Sequence, residues 1–298
     1  MELKLNFIVI EFSVAPKVIC QSGILSGKGA VFEKTLQQLA CAKNKTNCAG
    51  TVCEKWTTCP VAELTARKLS NDLQLRKLHQ KPGLPYVFSS VAPFCITTKP
   101  ECFYLLLIED TIKHLDLLIR AVTCCCGHGS HKVGLSAMNY QMQPLPLLTD
   151  ANGVATNLPV LDAIELVAQS GIASTTAAVR IDFLSPLRLI KNSKELTHFH
   201  APQFVRAVLR RLSSLSAYYG KKIDADQIKY LAQMADDVHI DQYQPVATEG
   251  QTFTRGVTGS YLLKNLHQEL IPYLLTGSLL NLGKGASYGM GIFRVNHG

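Results

Sequence analysis

Gly283, Lys284, Gly285 and Ser287 fall together in NLGKGASYGMGIFRV, residues 281–295, where glycines and a cation precede an apolar strand. Glycines let a backbone approach an anion and turn its N–H groups inward, so with the Lys284 charge this stretch can hold a phosphate. It is not a nucleotide loop of the usual kinds. A P-loop has four residues between its first glycine and Gly-Lys-Ser/Thr; Gly277 lies one residue too far from Gly283, and Gly285 occupies the hydroxyl position. The dinucleotide fingerprint breaks at Tyr288, and no helix follows to aim its N-terminus at a phosphate. The competing reading is a tight entry into a terminal strand.

A second cationic group lies at helical spacing. Arg206, Arg210 and Ser213, with Arg211 beside them, lie off the apolar stripe of Phe204, Val208, Leu212, Leu215 and Tyr219. Such a face is either solvated or a set of guanidinium forks for phosphate. Of nine histidines, His128 and His131 stand out as acid/base candidates. They share a second glycine-bearing loop, CCCGHGSHKVG, with Lys132, which can contact RNA phosphate. His198 and His200 precede the arginine helix and belong to its capping region. Cys41, Cys48, Cys53 and Cys59 place four sulfurs within reach of one structural tetrahedral zinc, and unpaired thiols explain the same pattern without a Cys-x-x-Cys pair. No Ser/His/Asp order, HExxH motif or carboxylate cluster calls for a catalytic metal.

These groups belong to a chain of 298 residues, long enough for two domains. Its 47% hydrophobic and 17% charged content exclude a disordered chain, and the formal charge of +8 favours an anionic partner such as nucleic acid. MELKLNFIVIEF lacks the parts of a signal peptide, and no apolar run is long enough for a membrane span, so a cytoplasmic, reduced setting without a membrane partner is expected.

The elements that must position the candidate groups follow from pattern. Residues 3–13 read as a strand, GKGAVFEKTLQQLAC as a helix, and 42–85 as an irregular, cysteine-rich insert. YVFSSVAPF and CFYLLLI read as strands, EDTIKHLDLLIRAV as a helix, CCCGHGSHKVG as a loop over packed small residues, and LSAMNYQM as a strand. After a soft region at 143–172 the order repeats: strand AAVRIDFLSPLRLI with a bulge or edge at Ser185-Pro186, then helix APQFVRAVLRRLSSLSAYYG. Strands VHIDQYQPV and RGVTGSYLLKN, helix LHQELIPYLLTG interrupted at Pro272, and the glycine loop with the last strand complete it. The expected fold is α+β: two tandem ferredoxin-like βαββαβ units, residues 1–168 and 169–298, with the insert in the first.

FLSPLRL, VLRRLSSLSAYYG, GVTGSYLL and LGKGASYGMGIFRV, in this order and spacing, resemble the C-terminal half of the CRISPR-associated RAMP endoribonucleases of the Cas6 family. LAC…C…C…CP and LPYVF resemble a family branch with a cysteine-rich insert. The resemblance implies binding and cleavage of precursor CRISPR RNA without a metal or other cofactor. In that chemistry a 2′-hydroxyl attacks the scissile phosphate, leaving 2′,3′-cyclic phosphate and 5′-hydroxyl ends. It also implies other CRISPR proteins as partners, including a fused or associated reverse transcriptase and integrase. Two departures matter. The family's histidine near the first helix is absent from residues 14–45, and its HVGKG loop reads Asn281-Leu282-Gly283-Lys284-Gly285 here. The acid/base role then falls to His128, His131 or Lys28, or to nothing, in which case the chain is an inactive repeat-RNA-binding subunit.

Overall fold

NFIVIEFS is apolar at neighbouring as well as alternate positions, which suits a strand covered on both faces. The computed structural model describes residues 5–27, 29–41, 58–65, 70–79, 82–94, 99–127, 133–147, 158–169, 178–191, 193–221, 223–245 and 256–298. In it this segment is β1, Asn6–Ser13, at the centre of an antiparallel sheet. Ile8, Ile10 and Phe12 pack into a core with Phe32, Leu36, Leu118 and Val122, while Phe7 and Val9 join the core of the second half. Glu11 is the one acid buried in the strand; the Tyr104 hydroxyl donates to its carboxylate at 3.0 Å and Lys99 at 3.3 Å.

The first half continues with α1 (Pro16–Ser22), α2 (Ala30–Ala40), α3 (Pro60–Leu64), α4 (Leu73–Leu78), β2 (Tyr86–Ser89), β3 (Cys102–Ile108), α5 (Leu115–Cys125), β4 (Gly134–Met138), β5 (Pro144–Pro146), β6 (Leu161–Asp162) and α6 (Ala163–Gln169). Its strands run β2-β3-β1-β4-β5, with β6 added beside β1. Register is fixed by pairs such as Phe7↔Ile108 and Ser13↔Cys102. The second half has β7 (Ala178–Leu187), the β8 (Ile190–Lys191) and β9 (Lys194–Glu195) hairpin, α7 (Ala201–Tyr219), α8 (Ala225–Met234), β10 (His239–Gln244), β11 (Val257–Lys264), α9 (Ile271–Leu279) and β12 (Phe293–His297). Its sheet runs β10-β11-β7-β12, again antiparallel. Both halves thus place their second, third, first and fourth principal strands side by side in that order, in a mixed α+β chain.

Several details depart from the sequence reading. The region expected to be irregular carries α3 and α4; Asp72 caps α4 by accepting from the backbone N–H of Gln74 and Leu75. Short helices α1 and α8 and the β8–β9 hairpin escaped the pattern because each has too few apolar positions to show a period. Cys124 and Cys125 end α5 and are not loop residues. Pro272 starts α9, where a missing N–H does no harm, and does not interrupt it. The bulge expected at Ser185-Pro186 is present: pairing of β7 with β11 jumps from Phe183↔Gly259 to Leu187↔Val257. His200 caps α7, accepting from the Gln203 N–H, and the whole apolar stripe of α7 is buried.

The two halves are joined by Tyr288, which enters the first half's core. Its ring lies 6.2 Å from Phe88, 6.0 Å from Tyr86 and 6.5 Å from Phe32. Its hydroxyl shares a 2.7 Å hydrogen bond with that of Tyr86 and donates to Glu33 Oε1 at 2.8 Å. Burial, the Tyr86 hydroxyl and the Glu33 charge all push the Tyr288 phenol upward, so it stays a donor. Gly29 leaves room for the ring, since a β-carbon there would fall 1.8 Å from Cζ of Tyr288. Tyr288→Phe should destabilise the chain by about 1–3 kcal/mol by stranding Glu33 and Tyr86. Tyr288→Ala should lose about 3–5 kcal/mol. Urea unfolding measures both, and a Phe variant as stable as wild type would contradict the hydroxyl's role.

Candidate nucleic-acid interface

The glycine loop docks onto the β7 bulge. The Leu184 N–H donates to the Ile292 carbonyl, the Ile292 N–H to Ser185 Oγ, and the Gly291 N–H to the Pro186 carbonyl at 3.0 Å. Two of its glycines are sterically required. Gly283 has φ +84° and a β-carbon there would lie 2.4 Å from the Arg188 carbonyl; Gly291 has φ +62° and would place one 1.8 Å from the Leu282 carbonyl. Asn281 is fully buried, and its amide donates to the carbonyls of Phe88 at 3.1 Å and Ala286 at 3.0 Å.

This geometry splits the expected phosphate loop in two. Gly283 and Lys284 form its open edge, with the Lys284 side chain exposed and its N–H donating to the Arg188 carbonyl at 2.8 Å. Gly285 instead faces the backbone of Gly27, and Ser287 is buried with its carbonyl accepting from the Phe88 N–H at 2.9 Å. Ser287 therefore has no surface to offer RNA. Its place is in the joint between the halves, because the strand-like Phe88–Tyr288 bridge takes the loop inward after Lys284.

The open edge forms one wall of a cleft of about 720 Å³. Gly283 and Lys284 line it, with Lys77 and His79 from the end of α4, Arg188 after β7, and Arg210 and Arg211 from α7. No carboxylate lines it among the described residues. Arg188 is held by a bidentate pair with Glu195, at 2.8 and 2.7 Å, which fixes the side chain and offsets its charge. Arg211 lies deeper. Its Nε donates to the Leu280 carbonyl at 3.0 Å, its NH2 is closed to solvent with no hydrogen-bond partner, and burial pulls its guanidinium down to about 10. It remains charged at neutral pH and puts a positive field under the cleft floor.

His79 faces this cleft half-buried. Its Nε2 is 3.1 Å from Ser213 Oγ, and its carbonyl accepts from the Tyr218 hydroxyl at 3.2 Å. Burial and the nearby Arg210 charge hold the imidazole below its ordinary value, so it is neutral at pH 7.

Sequence reasoning placed Gly283, Lys284, Arg210 and Arg211 among RNA-binding candidates, and the fold brings all four to one cleft. Arg206 does not join them. One turn before Arg210, it points to the end of α8, donating to the Ala232 carbonyl at 3.2 Å and pairing with Asp236 in the turn that follows the helix. Lys77, His79 and Arg188 were missed; the signal for the first two was Asp72 capping LQLRKL, which carries them to a helix end. Lys28, His128, His131 and Lys132 lie outside the described residues, as do Cys48 and Cys53 of the zinc set. Cys41 follows α2 and Cys59 precedes α3, and among the described residues no group of three or more His, Cys, Asp or Glu could hold a metal. No described helix is long and apolar enough to cross a membrane.

Residues 181–293 match the model of the CRISPR-associated endoribonuclease Cas6 family. No curated protein matches the chain. Among solved structures, Thermus thermophilus Cas6 is similar at 14% identity, covering 98% of each chain with a TM-score of 0.47. A Cas6 substrate-mimic complex is similar at 10% identity, covering 99% of this chain and 100% of the other with a TM-score of 0.45. The matched segment runs from β7 through the arginine helix to the glycine loop and the first residue of β12.

Proposed function

We propose that this chain binds CRISPR repeat RNA in the cleft beside Lys284 and cleaves it through attack of a 2′-hydroxyl on the adjacent phosphate. The products are a 2′,3′-cyclic phosphate and a 5′-hydroxyl, and the reaction runs without a bound metal. The observation that carries this reading is the convergence of Lys77, Arg210, Arg211 and Lys284, from three separated elements, on a groove lined by no carboxylate among the described residues. Phosphate contacts of this kind give affinity and strong salt dependence. Cations around a pentacoordinate phosphorane also stabilise the charge that develops there. Both halves are read as ferredoxin-like units, because their strand order is that of βαββαβ folds. The sequence-derived candidates for the acid/base role are His128, His131 or Lys28, all outside the described residues.

One observation favours a second reading. The position that carries histidine in HVGKG loops is Asn281 here, and it is fully buried with both amide bonds made to carbonyls. The glycine loop therefore brings no imidazole of its own, as in a repeat-RNA-binding subunit that holds RNA without cutting it.

Incubation with RNA carrying the CRISPR repeat of the source genome, in excess EDTA, separates the two. Cleavage to a cyclic-phosphate end supports the enzyme; tight binding with intact RNA supports the binder and overturns the enzyme. Lys284→Ala and Arg210→Ala should each weaken binding roughly tenfold and reduce the slope of log affinity against log salt by about 1. Arg206→Ala, by its pairing with Asp236, should leave binding within about twofold. Equal losses at Arg206 and Arg210 would move the interface off this cleft.

A further inference from the structure

We propose that His79 is the general base of the cleft, taking the proton from the attacking 2′-hydroxyl; this rests on the endoribonuclease reading above. Three features of its setting carry the assignment. The residue caps the C-terminal end of α4, with its N–H on the Leu75 carbonyl, so its backbone is fixed at the cleft edge. Its ring lines the same cleft as Lys284, Arg210 and Arg211, the groups suited to hold the phosphate next to that hydroxyl. Its orientation is set by one nitrogen alone: Nε2 bonds Ser213 Oγ at 3.1 Å, and Nδ1 has no partner among the described residues. When Nε2–H donates to Ser213, Nδ1 keeps its lone pair for a proton.

The step balances within the RNA. The O2′–H proton moves to Nδ1, O2′ forms a bond to phosphorus, and the P–O5′ bond breaks with its electron pair leaving on O5′. That oxygen takes a proton from water or from the acid group, giving the 5′-hydroxyl. No electrons are exchanged with any other molecule.

The charged and titratable groups lining the cleft with His79 are Lys77 on its own helix end, Arg210 and Arg211 from α7, Lys284 from the glycine loop, and Arg188, held by Glu195; the Tyr218 hydroxyl of α7 also touches His79, donating to its carbonyl. Burial, with the Arg210 charge, favours the neutral ring. The titration of the base therefore falls below its ordinary 6.5, and the cleavage rate should rise from pH 5 and level off by about pH 7. Removing the charge in Arg210→Ala raises the histidine's value and should move that limb to higher pH.

The test is single-turnover cleavage of the same repeat RNA across pH 5 to 8, with binding measured separately. His79→Ala should cleave at least about a hundredfold more slowly, bind within about twofold, and lose the rising limb. In a His79→Gly variant, added imidazole should restore part of the rate, which a residue needed only for folding would not allow. Cleavage by His79→Ala at near wild-type rate, an unchanged pH limb, or no rescue by imidazole would overturn the assignment and leave the enzyme standing. Loss of cleavage confined to His128→Ala or His131→Ala would do the same and place the base in their loop. If the wild-type protein binds the repeat RNA but never cuts it, the enzyme reading falls and the assignment falls with it.

Discussion

A buried side chain must find partners for every polar atom it carries into a core, and Tyr288 and Asn281 meet that demand across the boundary between the halves. The Tyr288 hydroxyl ends on Tyr86 and Glu33, and the Asn281 amide on Phe88 and Ala286, so the first half's β2 and α2 hold the second half's last loop. The loop cannot shift without stranding these groups in a dry interior. With its inner side fixed, its outer side is fixed as well. Lys284 is held by its own N–H on Arg188, and the cleft wall inherits the rigidity of the joint. The glycines serve this arrangement first: Gly283 passes the Arg188 carbonyl and Gly291 passes that of Leu282 at distances no β-carbon tolerates.

The cations of the cleft are held in different ways, and the differences divide the work. Arg211 is buried and Arg188 is bound to Glu195, so both are positioned before any ligand arrives. Little side-chain entropy remains for them to lose on binding. Arg210, Lys77 and Lys284 are exposed at the rim, where charge draws a polyanion in and is screened by salt. A floor of fixed charge under a rim of mobile charge suits a ligand whose backbone is gripped at one phosphate and followed along its neighbours.

The sequence made much of this legible, and the exceptions share a cause. The helical stripe from Phe204 to Tyr219 and the bulge at Ser185-Pro186 are local patterns, and both are present in the fold. The arginine face of the same helix was also visible, but not its division: Arg206 and Arg210 are one turn apart, yet the turn after α8 supplies Asp236 to the first and among the described residues no carboxylate pairs with the second. Ser287 looked like a phosphate ligand because short-range spacing cannot show that the chain turns inward at Phe88. His79 was hidden for the same reason. Asp72 capping LQLRKL marks a helix end, but not that His79 there meets Ser213 and Tyr218, which only the tertiary fold brings to it.

An asparagine at position 281 suits the same packing. The position is closed to solvent, and two carbonyls converge on it, each needing a donor. One amide NH2 supplies two protons from a single neutral group. A neutral imidazole supplies only one, and a protonated imidazole would bring an unpaired charge into the joint. A chain that closes its two halves on this loop therefore gives up the loop as a source of acid or base and keeps it for backbone and lysine contacts. Among the described residues lining the cleft only His79 carries an imidazole, and it reaches the cleft from outside the joint.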